Sequence, residues 1–235
     1  MVTHAVFEWA AVLTGSQLYL HTQRSSVANV SGPRFAVVVG CLLGAVLGSK
    51  LSYLLYQPAA WDAFVAHPFT ALSGQSIVGG LLGGWLGVEI AKWFSGVKHS
   101  TGDAFIRPIL LGLIIGRIGC FIAGQYDETS GLPTTLFWGY DYGDGIKRHP
   151  TQLFDIALAL VGLALTPALL RLTATRSGLA FKIFMAAYFW FRFWVDFLKP
   201  APTYYFDALS GIQVFSIVGA GIFTAWAIWQ ARRTA

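Results

Sequence analysis

Charge is what this sequence has least of. Only 11% of its 235 residues are Asp, Glu, Lys or Arg, against about 25% in soluble domains. With 55% hydrophobic residues and a mean hydropathy of +0.59, that shortage excludes an ordinary soluble domain and points to membrane-embedded helices. Cysteine is scarce too. Cys41 and Cys120 both fall in apolar runs, so no disulfide framework is expected. The histidines are scattered, and His4, His21, His67 and His99 suggest no metal site. The N-terminus lacks the basic start and small-residue cleavage site of a signal peptide, so the first apolar run is expected to be a retained helix. A convincing internal repeat is also missing, which weighs against a transporter built from paired halves. The net charge of +5 is modest and spread along the chain. It suits anionic lipid head groups rather than nucleic acid.

What is present is a series of seven apolar runs: Val6–Leu20, Phe35–Tyr56, Ser76–Phe94, Ala104–Ala123, Gln152–Leu170, Leu179–Leu198 and Ile212–Gln230. Each is about long enough to cross a hydrocarbon core of roughly 30 Å. The first is the weakest, being short and carrying Glu8 and Gln17. The expected fold is all-α: a single membrane-embedded domain, residues 1–235, forming a polytopic bundle of about seven transmembrane helices. Arg24, Arg34, Lys92, Lys98, Arg107, Arg171, Arg176, Lys182, Arg232 and Arg233 fall on one side. Only Lys147, Arg148 and Lys199 fall on the other. The positive-inside rule then predicts an external N-terminus and a cytoplasmic C-terminus. The polar stretch at about 124–151, with Asp127, Glu128, Asp141 and Asp144, becomes a long external loop, of the kind that is usually functional or disordered. Glycines recur every four residues at Gly40, Gly44 and Gly48, and again at Gly79, Gly83 and Gly87, with Gly80 and Gly84 one step around. Gly112 and Gly116 continue the pattern. Such stripes let helix backbones approach closely.

Two arginines interrupt the apolar runs. Burying one at a helix centre costs roughly 2.5–3.5 kcal/mol on insertion scales. Arg117 stands in Gly116-Arg117-Ile118-Gly119-Cys120-Phe121, and Arg192 in Tyr188-x-x-x-Arg192-x-x-x-Asp196. Each lies about 20 Å along an outward-running helix, at 1.5 Å per residue. Guanidinium forks at matched depth demand an anion or carboxylate between them, and a lipid phosphate fits that geometry. The alternative is pairing with carboxylates inside the bundle, and Asp196 is placed at i+4 from Arg192. Tyr188, Arg192 and Asp196 share one helix face. Just before the fifth run, Arg148-His149-Pro150-Thr151-Gln152 sets a cation at the external surface and the best-placed imidazole for proton transfer.

These motifs resemble those of the prolipoprotein diacylglyceryl transferase family. The Gly-Arg-x-Gly-Asn-Phe signature matches residues 116–121. The Arg-His-Pro-(Ser/Thr)-Gln-Leu-(Tyr/Phe)-(Glu/Asp) element matches Arg148 to Asp155, and Tyr-x-x-x-Arg-x-x-x-Glu matches Tyr188, Arg192 and Asp196. Gly79-Gly80-Leu81 and Gln213 to Ser216 are similar to further family elements. The resemblance implies an enzyme of the bacterial inner membrane that needs no cofactor or metal. Its partners would be phosphatidylglycerol and lipobox-containing preprolipoproteins. Diacylglycerol would pass from phosphatidylglycerol to the lipobox cysteine thiol, releasing glycerol phosphate. By the same resemblance Arg117, Arg192, His149 and Tyr188 are the catalytic candidates. Arg117, Arg148, Gln152, Arg192, Asp196, Gly79 and Gly80 are the substrate-binding candidates. The chain departs from the family at several places. Val78 replaces the histidine before Gly79-Gly80, Ala10 replaces a tyrosine after Trp9, and Cys120 replaces the signature asparagine. Ala123 and Gln125 replace a later asparagine and glutamate. A non-catalytic protein of the same fold that binds anionic phospholipid is the alternative reading.

Overall fold

The computed structural model describes residues 2–22, 32–57, 74–124, 129–201, 204–205 and 208–233. Arg24, His67, Gln125, Asp127 and Glu128 lie outside the described residues. Seven long helices stand among the described residues: α1 (Val2–Thr22), α2 (Pro33–Tyr56), α3 (Ile77–Ser95), α4 (Ile106–Ala123), α5 (Thr151–Leu172), α6 (Leu179–Val195) and α7 (Gly211–Arg233). Five segments are long and apolar enough to cross a membrane: Phe35–Leu55, Ile77–Ser95, Gly102–Ala123, Thr151–Leu172 and Gly211–Arg233. Their outward faces are apolar. Leu43, Val46, Leu47 and Leu51 of α2 and Val161 and Leu165 of α5 are all exposed, a surface suited to lipid and not to water.

Local chemistry sets the helix ends. Ser76 caps α3 by accepting the Gly79 N–H at 3.3 Å, and Gly96 ends that helix in the left-handed conformation that lacks penalty only for glycine. Asp103 satisfies the start of α6, accepting from the Gly178 and Phe181 N–H groups at 2.7 and 2.9 Å. The fourth apolar run was expected to be helical from Ala104. It opens instead with a 3-10 turn, Gly102–Phe105, before Ile106. The sixth was expected to continue to Leu198. It tightens into a 3-10 turn over Asp196–Leu198, as helix ends do when the last carbonyls lack donors and a proline, here Pro200, stands just beyond.

The helices associate chiefly as α2 on α3, α1 on α4, α6 on α7 and α4 on α5. The α2–α3 contact is backbone on backbone. A Cβ on Gly44 would overlap the Gly83 carbonyl oxygen, one on Gly83 would overlap that of Gly44, and one on Gly87 would overlap that of Gly40. The core lies between the pairs, around Val78, Leu110, Leu113, Ala159, Met185, Tyr188, Phe189 and Phe223.

The loop between α4 and α5 is built on a hairpin where described. Strands β1 (Tyr140–Asp141) and β2 (Lys147–Arg148) form an antiparallel hairpin, and Pro133 bridges the other side of Arg148. The loop is stitched to the rest of the molecule through backbone bonds: Gly131 N–H to His149 O (2.9 Å), His149 N–H to Leu132 O (3.1 Å) and Leu132 N–H to Leu198 O (2.7 Å). A second short pair, β3 (Tyr204–Tyr205) and β4 (Leu209–Ser210), leads into α7.

Candidate functional site

Arg117 and Arg192 meet. The group between them is Asp155, one turn into α5 and fully buried. Its Oδ2 lies 2.7 Å from Arg117 Nε and 3.5 Å from Arg192 Nη1. Arg192 Nη2 donates to Asp196 Oδ1 at 3.1 Å, the i+4 pairing that its spacing predicts. Asp196 is held in turn by the Ser210 hydroxyl, which donates to its Oδ2. Ser210 exchanges bonds with Gln213: its N–H donates to Gln213 Oε1 at 2.8 Å and its Oγ accepts the Gln213 N–H at 3.1 Å. The start of α7 thereby orients a carboxylate at the end of α6, which orients the Arg192 fork.

The ionic contacts leave donors over. Arg117 Nε and Arg192 Nη1 meet Asp155 Oδ2 as ion pairs without aligned hydrogen-bond geometry, while Arg192 Nε and the Tyr188 hydroxyl are buried with no partner among the described residues. Tyr188 is on the same face of α6 as Arg192 and interacts electrostatically with Arg117, Arg192 and Asp155. Unsatisfied buried groups of this kind are uncommon in folded proteins. Two guanidinium groups on one carboxylate, with a donor to spare, have the chemistry to take an anion with several acceptor oxygens. Arg117 has access: its side chain is 11% exposed, against 3% for Arg192. A Cβ placed on Gly116 would meet nothing within 4 Å, so that glycine leaves room beside the arginine. Gly119 does not, because its Cβ position is filled by the Phe7 ring of α1. Cys120 is buried, 3.9 Å from Arg117 Nη1.

The remaining sequence candidates lie elsewhere. His149 Nδ1 accepts the Trp138 indole N–H at 3.1 Å, so the neutral imidazole carries its proton on Nε2. Gln152 is fully buried with both ends engaged: Oε1 accepts from Tyr142 Oη at 2.8 Å and Nε2 donates to Thr129 Oγ1 at 3.0 Å. Arg148 sits on the hairpin in a two-bond pair with Asp144, at 2.8 and 2.7 Å. That guanidinium holds the Asp144 carboxyl down to about 2. Gly79 belongs to the α2–α3 interface, its Cβ position taken by Ser52, whereas Gly80 makes only ordinary contacts. Val78, at the family's histidine position, is 1% exposed in the apolar cluster that includes Tyr188. Among the described residues no group of His, Cys, Asp and Glu is arranged to hold a metal.

Two charged residues of this site carried no assignment in the sequence reading. Asp155 closes the Arg148–Asp155 element, and its signal was an acid inside an apolar run. Lys199 reads from sequence as an external cation, and its N–H donates to Asp196 O at 3.1 Å, which sets it directly after the carboxylate that holds Arg192.

Comparison with known proteins points to one family. A family model described as prolipoprotein diacylglyceryl transferase matches residues 2–229. Three relatives carry the name phosphatidylglycerol–prolipoprotein diacylglyceryl transferase. The protein from Nitratidesulfovibrio vulgaris is 35% identical over 174 residues, covering 69% of this chain and 63% of the relative. That from Solidesulfovibrio magneticus is 32% identical over 211 residues, covering 85% of this chain and 77% of its own length. That from Cupriavidus necator is 34% identical over 209 residues, covering 82% and 73%. With a family model spanning nearly its whole length, and with its two intramembrane arginines joined at one buried carboxylate, this chain belongs to the prolipoprotein diacylglyceryl transferase family.

Proposed function

We propose that this protein is a phosphatidylglycerol–prolipoprotein diacylglyceryl transferase of the bacterial plasma membrane, crossing it seven times with the N-terminus outside and the C-terminus in the cytoplasm. The observation that carries the chemistry is the pair of guanidinium groups, Arg117 and Arg192, gathered on the buried Asp155, with Arg192 Nε and the Tyr188 hydroxyl left as free donors among the described residues. Phosphate oxygens satisfy such donors in a low-dielectric site, where charge-assisted hydrogen bonds are strong. The head group enters beside Gly116, the donors take up its phosphate, and the Tyr188 hydroxyl adds one more. A cysteine thiolate then attacks the glyceryl carbon that bears the phosphate. The sulfur–carbon bond forms as the carbon–oxygen bond breaks, and glycerol phosphate leaves with the electron pair. Charge growing on the leaving phosphate is met by groups already in place, so little reorganisation is needed. Asp155 and Asp196 fix the two forks. Gln152 and His149 hold the external loop over the start of α5, with Arg148 at its outer surface to meet a head group.

The test supplies purified protein with labelled phosphatidylglycerol and a lipobox peptide. Diacylglyceryl peptide is expected from the unaltered protein. Arg117→Ala is expected to lower the rate by at least about a hundredfold, the scale of losing one preorganised donor to developing negative charge. Retention of phosphatidylglycerol without any product, in folded protein, would identify a lipid binder instead.

A further inference from the structure

Single exposed apolar residues are ordinary, but a group of them held in one place marks a surface that something covers. The hairpin between α4 and α5 carries such a group. Phe137 is 91% exposed, more than any other large hydrophobic side chain among the described residues. Leu136, Trp138, Tyr140 and Ile146 of the same hairpin are exposed as well.

The tip is built to present Phe137. Leu136 O accepts the Gly139 N–H at 2.9 Å, which closes a turn over Phe137 and Trp138. The Leu136 N–H donates to Thr134 Oγ1 at 3.2 Å. Trp138 is drawn back toward the protein by its indole N–H, which donates to His149 Nδ1 at 3.1 Å. The Phe137 ring stands edge-on to the Trp138 ring, with centroids 4.8 Å apart. One ring is thus fixed to the protein and backs the other.

What covers Phe137 follows from where the hairpin is tied. β2 ends at Arg148, and α5, long and apolar enough to cross a membrane, begins at Thr151. Three residues of extended chain reach about 10 Å at most. On the other side the Tyr140 and Tyr142 rings pack on Phe121, in the last turn of α4, at 5.0 and 5.9 Å. The hairpin is therefore pinned to the ends of two apolar spans, where hydrocarbon gives way to water. Those same helix ends carry exposed Ile122 and Leu153, so both helices present apolar surface at the level where the hairpin is tied. Aromatic side chains concentrate at that level in membrane proteins, and apolar groups seated there anchor a segment to the leaflet. A bilayer stands beside the hairpin at all times. A polypeptide partner would cover Phe137 only while bound and leave it in water otherwise.

We propose that the Leu136–Trp138 turn is a membrane anchor, with Phe137 seated at the head-group level of the leaflet that adjoins the ends of α4 and α5. This does not depend on the reaction that the site runs. The anchor sets the height of the loop, because the same hairpin is tied to the start of α5 through Tyr142 Oη, which donates to Gln152 Oε1 at 2.8 Å.

The test uses the full chain in vesicles of phosphatidylglycerol and phosphatidylethanolamine, with a photoreactive residue at the tip. Phe137→p-benzoylphenylalanine is irradiated and its adducts are read by mass spectrometry. Val161→p-benzoylphenylalanine, on the exposed face of α5, gives the yield of a position in lipid. A phospholipid adduct is expected at 137 in comparable yield, and a lipobox peptide added before irradiation is expected to leave it unchanged. Peptide adducts in place of lipid would make the tip part of a polypeptide-binding surface. Adducts to a second copy of the chain would make it a subunit contact, and no adduct at all would leave it in water. Each of these three results overturns the anchor. Leu136→p-benzoylphenylalanine separates anchoring from mere proximity. Its lipid adduct is expected to fall at least about tenfold when Phe137→Ser is added, the scale of withdrawing one large apolar side chain from an apolar environment. An unchanged yield overturns Phe137 as the anchoring group.

Discussion

At the scale of single residues the centre of this protein is a carboxylate between two guanidinium groups. Asp155 is fully buried and touches both arginines through one oxygen. A buried ion pair is a weak source of net stability, but removing one partner leaves an uncompensated charge and costs about 3–5 kcal/mol. Asp155→Asn keeps the shape and deletes the charge. It is expected to lower the melting temperature in detergent markedly and to reduce transfer, because both forks lose their anchor. A melting temperature equal to that of the unaltered protein would remove Asp155 from this role. The arginines themselves were visible in the sequence, since a cation in an apolar run announces itself. So was the pairing of Arg192 with Asp196, because a spacing of four on a helix is a local property. The partner of Arg117 was not, because it lies on another helix. The hydrogen bond between His149 and Trp138 was hidden for a similar reason: it depends on how the hairpin between α4 and α5 folds back.

At the scale of elements, helix boundaries and glycine stripes were readable almost throughout. Apolar length and capping residues are properties of short stretches; the observed ends differ most at α1, which starts at Val2 rather than Val6, and where a 3-10 turn replaces the first turn of α4 or the last of α6. The stripes divide by what they meet. Gly83 faces the α2 backbone, whereas Gly116 faces open space. Gly83→Leu is expected to force α2 and α3 apart and destabilise by about 1–3 kcal/mol, the usual scale of overpacking. Gly116→Ala is expected to be neutral or to stabilise by up to about 1 kcal/mol, since alanine is the better helix former and nothing obstructs it. Thermal unfolding of the two variants in the same detergent separates them. Equal melting temperatures would show that the α2–α3 contact does not depend on glycine.

At the scale of the whole molecule the proposed orientation places the hairpin loop outside and the α3–α4 connection in the cytoplasm. Thr135→Cys is expected to react with a membrane-impermeant maleimide in intact cells, and His99→Cys only after permeabilisation. The reverse pattern would invert the topology. The sequence by itself determined that the chain is a helical membrane protein, where its apolar runs lie, which residues interrupt them, and which family it resembles. These follow from composition, from periodicity and from motifs a few residues long. Tertiary structure alone decided that Asp155 joins the arginines and that Gly116 opens while Gly119 closes on Phe7. Each of those is a contact between segments far apart in the chain. Helix crossing and side-chain direction set such contacts, and neither is written in the spacing of residues along any one helix.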